Sequence, residues 1–135
     1  MQTTDQTAAV FTKAMWTGRL MSGLVVLFLL LDGAMKLVPL DIVIETSAQL
    51  GLPASLARTL GILTILCTVL YAIPKTSVLG AILLTAYLGG AIATHARVGS
   101  PLFTHVLFGV YLGLLVWGGL YLRDPRLRAL IPFAK

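Results

Sequence analysis

The chain has 135 residues, 58% of them hydrophobic and 11% charged, with a net charge of +5. Soluble domains carry about 25% charged residues, and so short a domain leaves much of its surface in water, so a water-soluble globule is excluded. A disordered chain is excluded as well, because disorder needs low hydrophobicity and high charge. The expected class is all-α: a single integral membrane domain over residues 1–135, built as a four-helix transmembrane bundle.

A helix needs about 20 mainly apolar residues to cross the hydrocarbon core. In chain order the expected spans are 14–36, 54–74, 76–95 and 102–122. The first carries Arg19 at one end and Asp32 and Lys36 at the other, with a 12-residue uncharged run, Leu20–Leu31, between them. A signal peptide is the rival reading, but Asp32-Gly33-Ala34-Met35-Lys36 offers no small-x-small cleavage pattern, so an uncut helix is expected. Between the first two spans, Asp41 is placed to cap a short amphipathic helix that Gly51 and Pro53 stop. Its apolar residues Ile42, Ile44 and Leu50 alternate with Glu45, Ser47 and Gln49, and it is expected to lie on the bilayer surface. Pro74-Lys75 makes a tight turn, so the second and third spans are antiparallel neighbours. Gly99 and Pro101 mark the turn between the third and fourth.

Four crossings put both termini on one side. That side holds Lys13, Arg19, Lys75, Arg123, Arg126, Arg128 and Lys135, and the other holds Lys36, Arg58 and Arg97. Cytoplasmic loops carry the Lys/Arg excess, so both termini are expected in the cytoplasm. Trp16, Tyr71, Trp117 and Tyr121 fall near the same ends and read as interfacial anchors. The basic residues flank apolar runs, which indicates membrane lipid as the partner and excludes nucleic acid. Cys67, the only cysteine, lies mid-run and reads as a small hydrophobe without disulfide or metal role.

Helices in lipid associate by close packing, which small residues permit. Ala86-x-x-x-Gly90-x-x-x-Thr94 and Gly109-x-x-x-Gly113, with Gly118-Gly119 below, are the expected packing stripes, read as contacts within one bundle, with a homodimer as the alternative. Ionisable groups inside a membrane suggest a functional site. Asp32, Lys36, His95, Arg97 and His105 converge at the outer end, and Asp32–Lys36 has the favourable i, i+4 order of an ion pair. Lined by two imidazoles, such a cluster would relay protons or bind an anion or quinone headgroup. No metal site is expected, because two histidines and an aspartate on different helices lack a ligand spacing. Tyr87 and Tyr111 are expected to hydrogen-bond to neighbouring helices. There is no phosphate loop, nucleophile elbow or zinc-protease box, so no catalytic residue is assigned.

The run from Tyr71 through Pro74, Lys75, Gly80, Tyr87 and Gly90 to His95 resembles the DoxX-like family of small bacterial membrane proteins, as do Gly33-x-x-Lys36-Leu37, Leu50-Gly51-x-Pro53 and the tail from Trp117 to Pro132. The resemblance implies a four-helix bundle in the bacterial cytoplasmic membrane. It also implies association with quinone-linked redox or oxidative-stress complexes, and hence redox-complex protein partners. Gly33, Lys36 and His95 match recurrent family positions. Where many relatives carry an acid early in helix two, this chain has Gly61-Ile62-Leu63-Thr64-Ile65. The expected function is therefore an accessory subunit rather than a stand-alone enzyme. A small dimeric membrane transporter is the alternative; it would want an acid near the midplane and interrupted helices.

Overall fold

The computed structural model describes residues 2–38 and 40–131, and among them there is no strand. The helices are α1 (Gln2–Leu37), α2 (Asp41–Gln49), α3 (Ala54–Ala72), α4 (Ser77–Arg97), α5 (Phe108–Arg123) and α6 (Pro125–Leu130). A 3₁₀ turn, Pro74–Thr76, joins α3 to α4, and a π turn, Leu102–Val106, leads into α5. Four segments are long and apolar enough to cross a membrane: Ala8–Leu37, Ser55–Ala72, Pro74–Arg97 and Leu102–Arg123. The chain is an all-α, multi-pass membrane protein.

α1 begins well before the expected start at 14, because nothing between Gln2 and Lys13 is a glycine or proline that would break it. At 36 residues it is about 54 Å long, more than the hydrocarbon thickness, so its first turns extend beyond the lipid. Around the bundle the order is α1, α3, α4, α5 and back to α1. The start of α1 and α6 share one end, hereafter the terminal end; α2 lies at the other, the far end.

The helices touch where glycine removes the side chain. A Cβ on Gly18 would stand 2.7 Å from the Gly119 carbonyl oxygen, and one on Gly61 would stand 2.8 Å from that of Gly33. These pairs seat α1 against α5 and α3. Of the expected packing residues, Gly119 abuts α1 at Ser22 and Gly18, and Gly109 abuts α4 at Ile92 and Leu88. Gly90 and Gly113 do not pack: a Cβ on either would meet nothing within 4 Å. Small residues every fourth position permit close approach but do not compel it, and here the partner helices meet other glycines.

Both far-end turns use one device. Gly51 (φ +73°) and Gly99 (φ +72°) adopt the left-handed conformation just beyond α2 and α4. Leu52 N–H then donates to Ser47 O (2.8 Å) and Ser100 N–H to His95 O (3.0 Å), closing two Schellman motifs. A proline follows each two residues on and starts the next element, as Pro53 and Pro101. The expected cap at Asp41 is corrected: Leu40 is the N-cap, and Asp41 is the first helical residue. There its charge faces the positive end of the helix dipole without capping an N–H.

Candidate functional site

A cavity of about 540 Å³ opens at the far end between α1, α3 and α4, and α2 lies over it. α3 and α4 are in backbone contact near the terminal end, at Tyr71 and Gly80, and the cavity separates them farther along. Its walls are mainly apolar, with Leu56, Ala57 and Leu60 from α3 and Ala86, Gly90 and Ala91 from α4. The stripe Ala86, Gly90, Thr94, expected to pack another helix, is instead bare cavity wall. α2 does not lie flat on lipid alone: Val43, Ser47 and Leu50 roof the cavity.

The polar groups come from α1 and α4. Lys36 Nζ donates to Asp32 Oδ2, forming the expected i, i+4 pair, and also to the Tyr87 hydroxyl at 2.8 Å. Tyr87 thus bonds to a neighbouring helix as expected, and joins a cluster from which the sequence reading had left it out. Tyr111 does not; its hydroxyl donates to Phe103 O (3.2 Å) of its own crossing. Because the Tyr87 oxygen accepts from Lys36, its own proton is available. Among the described residues no further acceptor is found for the third Lys36 proton either.

Of the other expected members, His95 lines the cavity, with Nδ1 3.1 Å from Ser100 Oγ. His105 stands outside the cavity wall on the exposed π turn, its Nδ1 2.8 Å from Thr104 Oγ1. It reaches the cluster only through an edge-on ring contact with His95, 5.6 Å between centroids. The π turn sets this displacement: Val106 and Leu107 N–H bond five residues back, to Pro101 and Leu102 O. Arg97 does not pair with Asp32. It donates to Leu50 O (2.7 Å) at the α2 C-cap, where unpaired carbonyls attract a guanidinium. Among the described residues no three of His, Cys, Asp or Glu gather as metal ligands.

A second polar cluster, at the terminal end, escaped the sequence reading. Tyr71 is fully buried rather than an interfacial anchor. Arg123 Nε donates to Ser22 Oγ (2.9 Å), Ser22 lies 2.9 Å from the Tyr71 hydroxyl, and that hydroxyl donates to Val116 O (2.6 Å). Arg123 Nη2 also donates to Tyr71 O (3.1 Å) and Ser77 Oγ (3.4 Å), and the guanidinium lies 5.1 Å from the Tyr71 ring centroid. Buried Thr64, Thr68 and Tyr71 share one face of α3 at i, i+4, i+7. That polar spacing inside an apolar helix was the available signal.

Next to this cluster, Asp124 caps α6. Its Oδ1 accepts from the Arg126 N–H (2.9 Å), and its carboxylate is bonded to the Arg126 guanidinium, which also reaches Pro74 O (2.6 Å). The Arg126 side chain holds the Asp124 carboxyl below the usual carboxylate range, against the opposing effect of burial. A depressed carboxyl contributes stability that is complete above its unfolded value of about 3.9 and lost as pH falls through the folded value. Amide exchange in 126–131, relative to each amide's intrinsic rate, is therefore expected to accelerate on acidification below that range. Asp124→Ala should accelerate it already at neutral pH, for a loss of about 1 kcal/mol, and remove the acid step. Exchange in the variant that still steps with acid would refute this assignment.

Searches of the curated proteins and of the solved structures returned no match. A family model does match, over residues 20–119, which takes in the cavity and most of the terminal-end cluster but stops short of Arg123 and α6. By that match the chain belongs to the DoxX-like family, a family of small membrane proteins.

Proposed function

We propose that this protein is an accessory subunit of a membrane redox or oxidative-stress assembly, and that the far-end cavity binds a quinone headgroup. The observation that carries the reading is the pair of available donors, Tyr87 O–H and Lys36 N–H, on the wall of an otherwise apolar cavity. Together they suit one carbonyl oxygen. Asp32 neutralises Lys36, which favours an uncharged ligand over an anion. A few placed polar groups among apolar walls is the usual make-up of a small-molecule site, and about 540 Å³ falls in its usual size range. Bacterial cytoplasmic-membrane placement with both termini in the cytosol accords with the charge distribution. Lys13, Arg19, Lys75, Arg123, Arg126 and Arg128 lie at the terminal end; Lys135 lies outside the described residues. At the far end stand Lys36 and Arg97, both engaged in internal bonds, and the exposed Arg58. A transporter is the weaker reading: Asp32 stands about 7–8 Å from the end of α1, whereas transporter sites sit near the midplane.

The test is purification in mild detergent, with mass spectrometry of co-purifying quinones and proteins and a quinone titration. Wild type should retain quinone together with a redox partner. Tyr87→Phe should weaken quinone binding by about 3–10-fold, the worth of one hydrogen bond, while leaving thermal stability nearly unchanged. Equal quinone binding by wild type and Tyr87→Phe would reject the headgroup assignment.

A further inference from the structure

The cavity is partly roofed on one side and bare on another. Toward the far end, α2 covers it with Val43, Ser47 and Leu50. The C-terminus of α2 is fastened twice, by the Schellman turn at Gly51 and by the Arg97 bond to Leu50 O (2.7 Å). Along α4 the wall is bare instead. Ala86 and Gly90 line the cavity yet are exposed, and a Cβ on Gly90 would meet nothing within 4 Å. Leu83 and Leu79 continue the same helical ridge at steps of three and four residues, past the middle of the span toward its terminal end. Both are exposed, at 37% and 51%, on a helix that crosses the membrane. A track of low relief thus leads from the Tyr87–Lys36 donors into the lipid.

We propose that this track is a tail subsite, in which the hydrocarbon chain of a membrane-dissolved amphiphile lies along Leu79, Leu83, Ala86 and Gly90 while its oxygen-bearing head meets Tyr87 and Lys36. The ligand enters sideways from the bilayer, past the bare α4 wall, while α2 roofs part of the far end. The inference rests on the headgroup reading for its ligand class and adds to it the chain and the route. A ligand without a chain would leave the bare wall uncovered. The chain gains no hydrophobic advantage over lipid by lying there, because both surroundings are apolar. The subsite therefore acts by placing the chain, and the test reads position.

The experiment uses the full chain in lipid nanodiscs with two photoreactive probes, each carrying a diazirine in a decyl tail: a benzoquinone and a decanoate. Illumination, proteolysis and mass spectrometry then locate the label. The quinone probe is expected to label residues 79–90 about tenfold above the lipid-facing face of α1, and excess unlabelled decylbenzoquinone should compete it away. Gly90→Leu, which extends a side chain into open space, should abolish the enrichment at undiminished thermal stability, and Gly90→Ala should reduce it partly. Even labelling of all lipid-facing helices by both probes would overturn the subsite, and so would enrichment that survives Gly90→Leu. If only the decanoate labels the track and Gly90→Leu removes it, the subsite stands and the quinone headgroup falls. Enrichment elsewhere with quinone retained would sink the subsite and leave the headgroup reading intact.

Discussion

Gly80→Ala is expected to unfold much of the protein, or to cost more than about 3 kcal/mol where it still folds. The added Cβ would stand 2.2 Å from the Tyr71 backbone nitrogen, 2.5 Å from its Cα and 2.8 Å from the Leu70 carbonyl carbon. All three are backbone atoms, so no rotamer change relieves the clash and α3 must move off α4. Helix propensity works the other way, since alanine in place of glycine favours a helix interior by about 1 kcal/mol. The clash outweighs it because it lies at the contact where α3 and α4 come together before the cavity separates them. Movement there would also carry Tyr71 away from Val116 and Ser22. The internal control is Gly89→Ala on the same helix, where a Cβ meets nothing within 4 Å and only the propensity gain remains. Thermal unfolding and monodisperse yield in detergent should separate the two by well over 10 °C. A Gly80→Ala protein within a degree or two of wild type would mean that this close approach is absent.

Glycine also shows where sequence reasoning stops. Gly51 and Gly99 were legible because a turn is local: a glycine after an amphipathic or apolar run, with a proline two residues on, closes a helix whatever surrounds it. Asp32–Lys36 was legible for the same reason, four residues apart on one helix. The spans themselves followed from where charge is missing. Gly33 and Gly80 were not legible as packing sites, because each is matched to a residue on another helix and has no small residue four positions away on its own; Gly18 and Gly61 have one, Ser22 and Ala57, but the same spacing also occurs without a packed partner. Ala86-Gly90-Thr94 has that spacing and lines a cavity. A small residue says only that space exists, and the neighbouring helix decides whether backbone or void fills it. Tyr87 and Arg97 find partners 51 and 47 residues away, at Lys36 and Leu50, beyond any local pattern. Arg123 was read as a topology signal, and its 101-residue separation from Ser22 concealed its second role.

That second role sets the other large expected effect. Arg123→Ala should destabilise the bundle by about 2–3 kcal/mol, seen as a lower unfolding midpoint in detergent. The guanidinium donates to Ser22 of α1 and to Tyr71 at the end of α3, with a longer contact to Ser77 at the start of α4, so one α5 side chain ties all four crossings at the terminal end. Individual side-chain hydrogen bonds between membrane helices average only about 0.6 kcal/mol, because the unfolded chain in lipid finds partners too. Here several are lost together, and Ser22 loses the donor that orients it toward Tyr71. Arg123→Lys should recover only part of the loss, since an ammonium lacks the planar fork that meets two directions at once. Tyr71→Phe should cost less, about 1 kcal/mol, through loss of the bond to Val116 O. The decisive measurement is the double-mutant cycle. If the cluster acts as a unit, Arg123→Ala combined with Tyr71→Phe should fall short of the sum by at least about 0.5 kcal/mol. Strict additivity would mean that Arg123 and the Tyr71 hydroxyl act independently and not as one cluster.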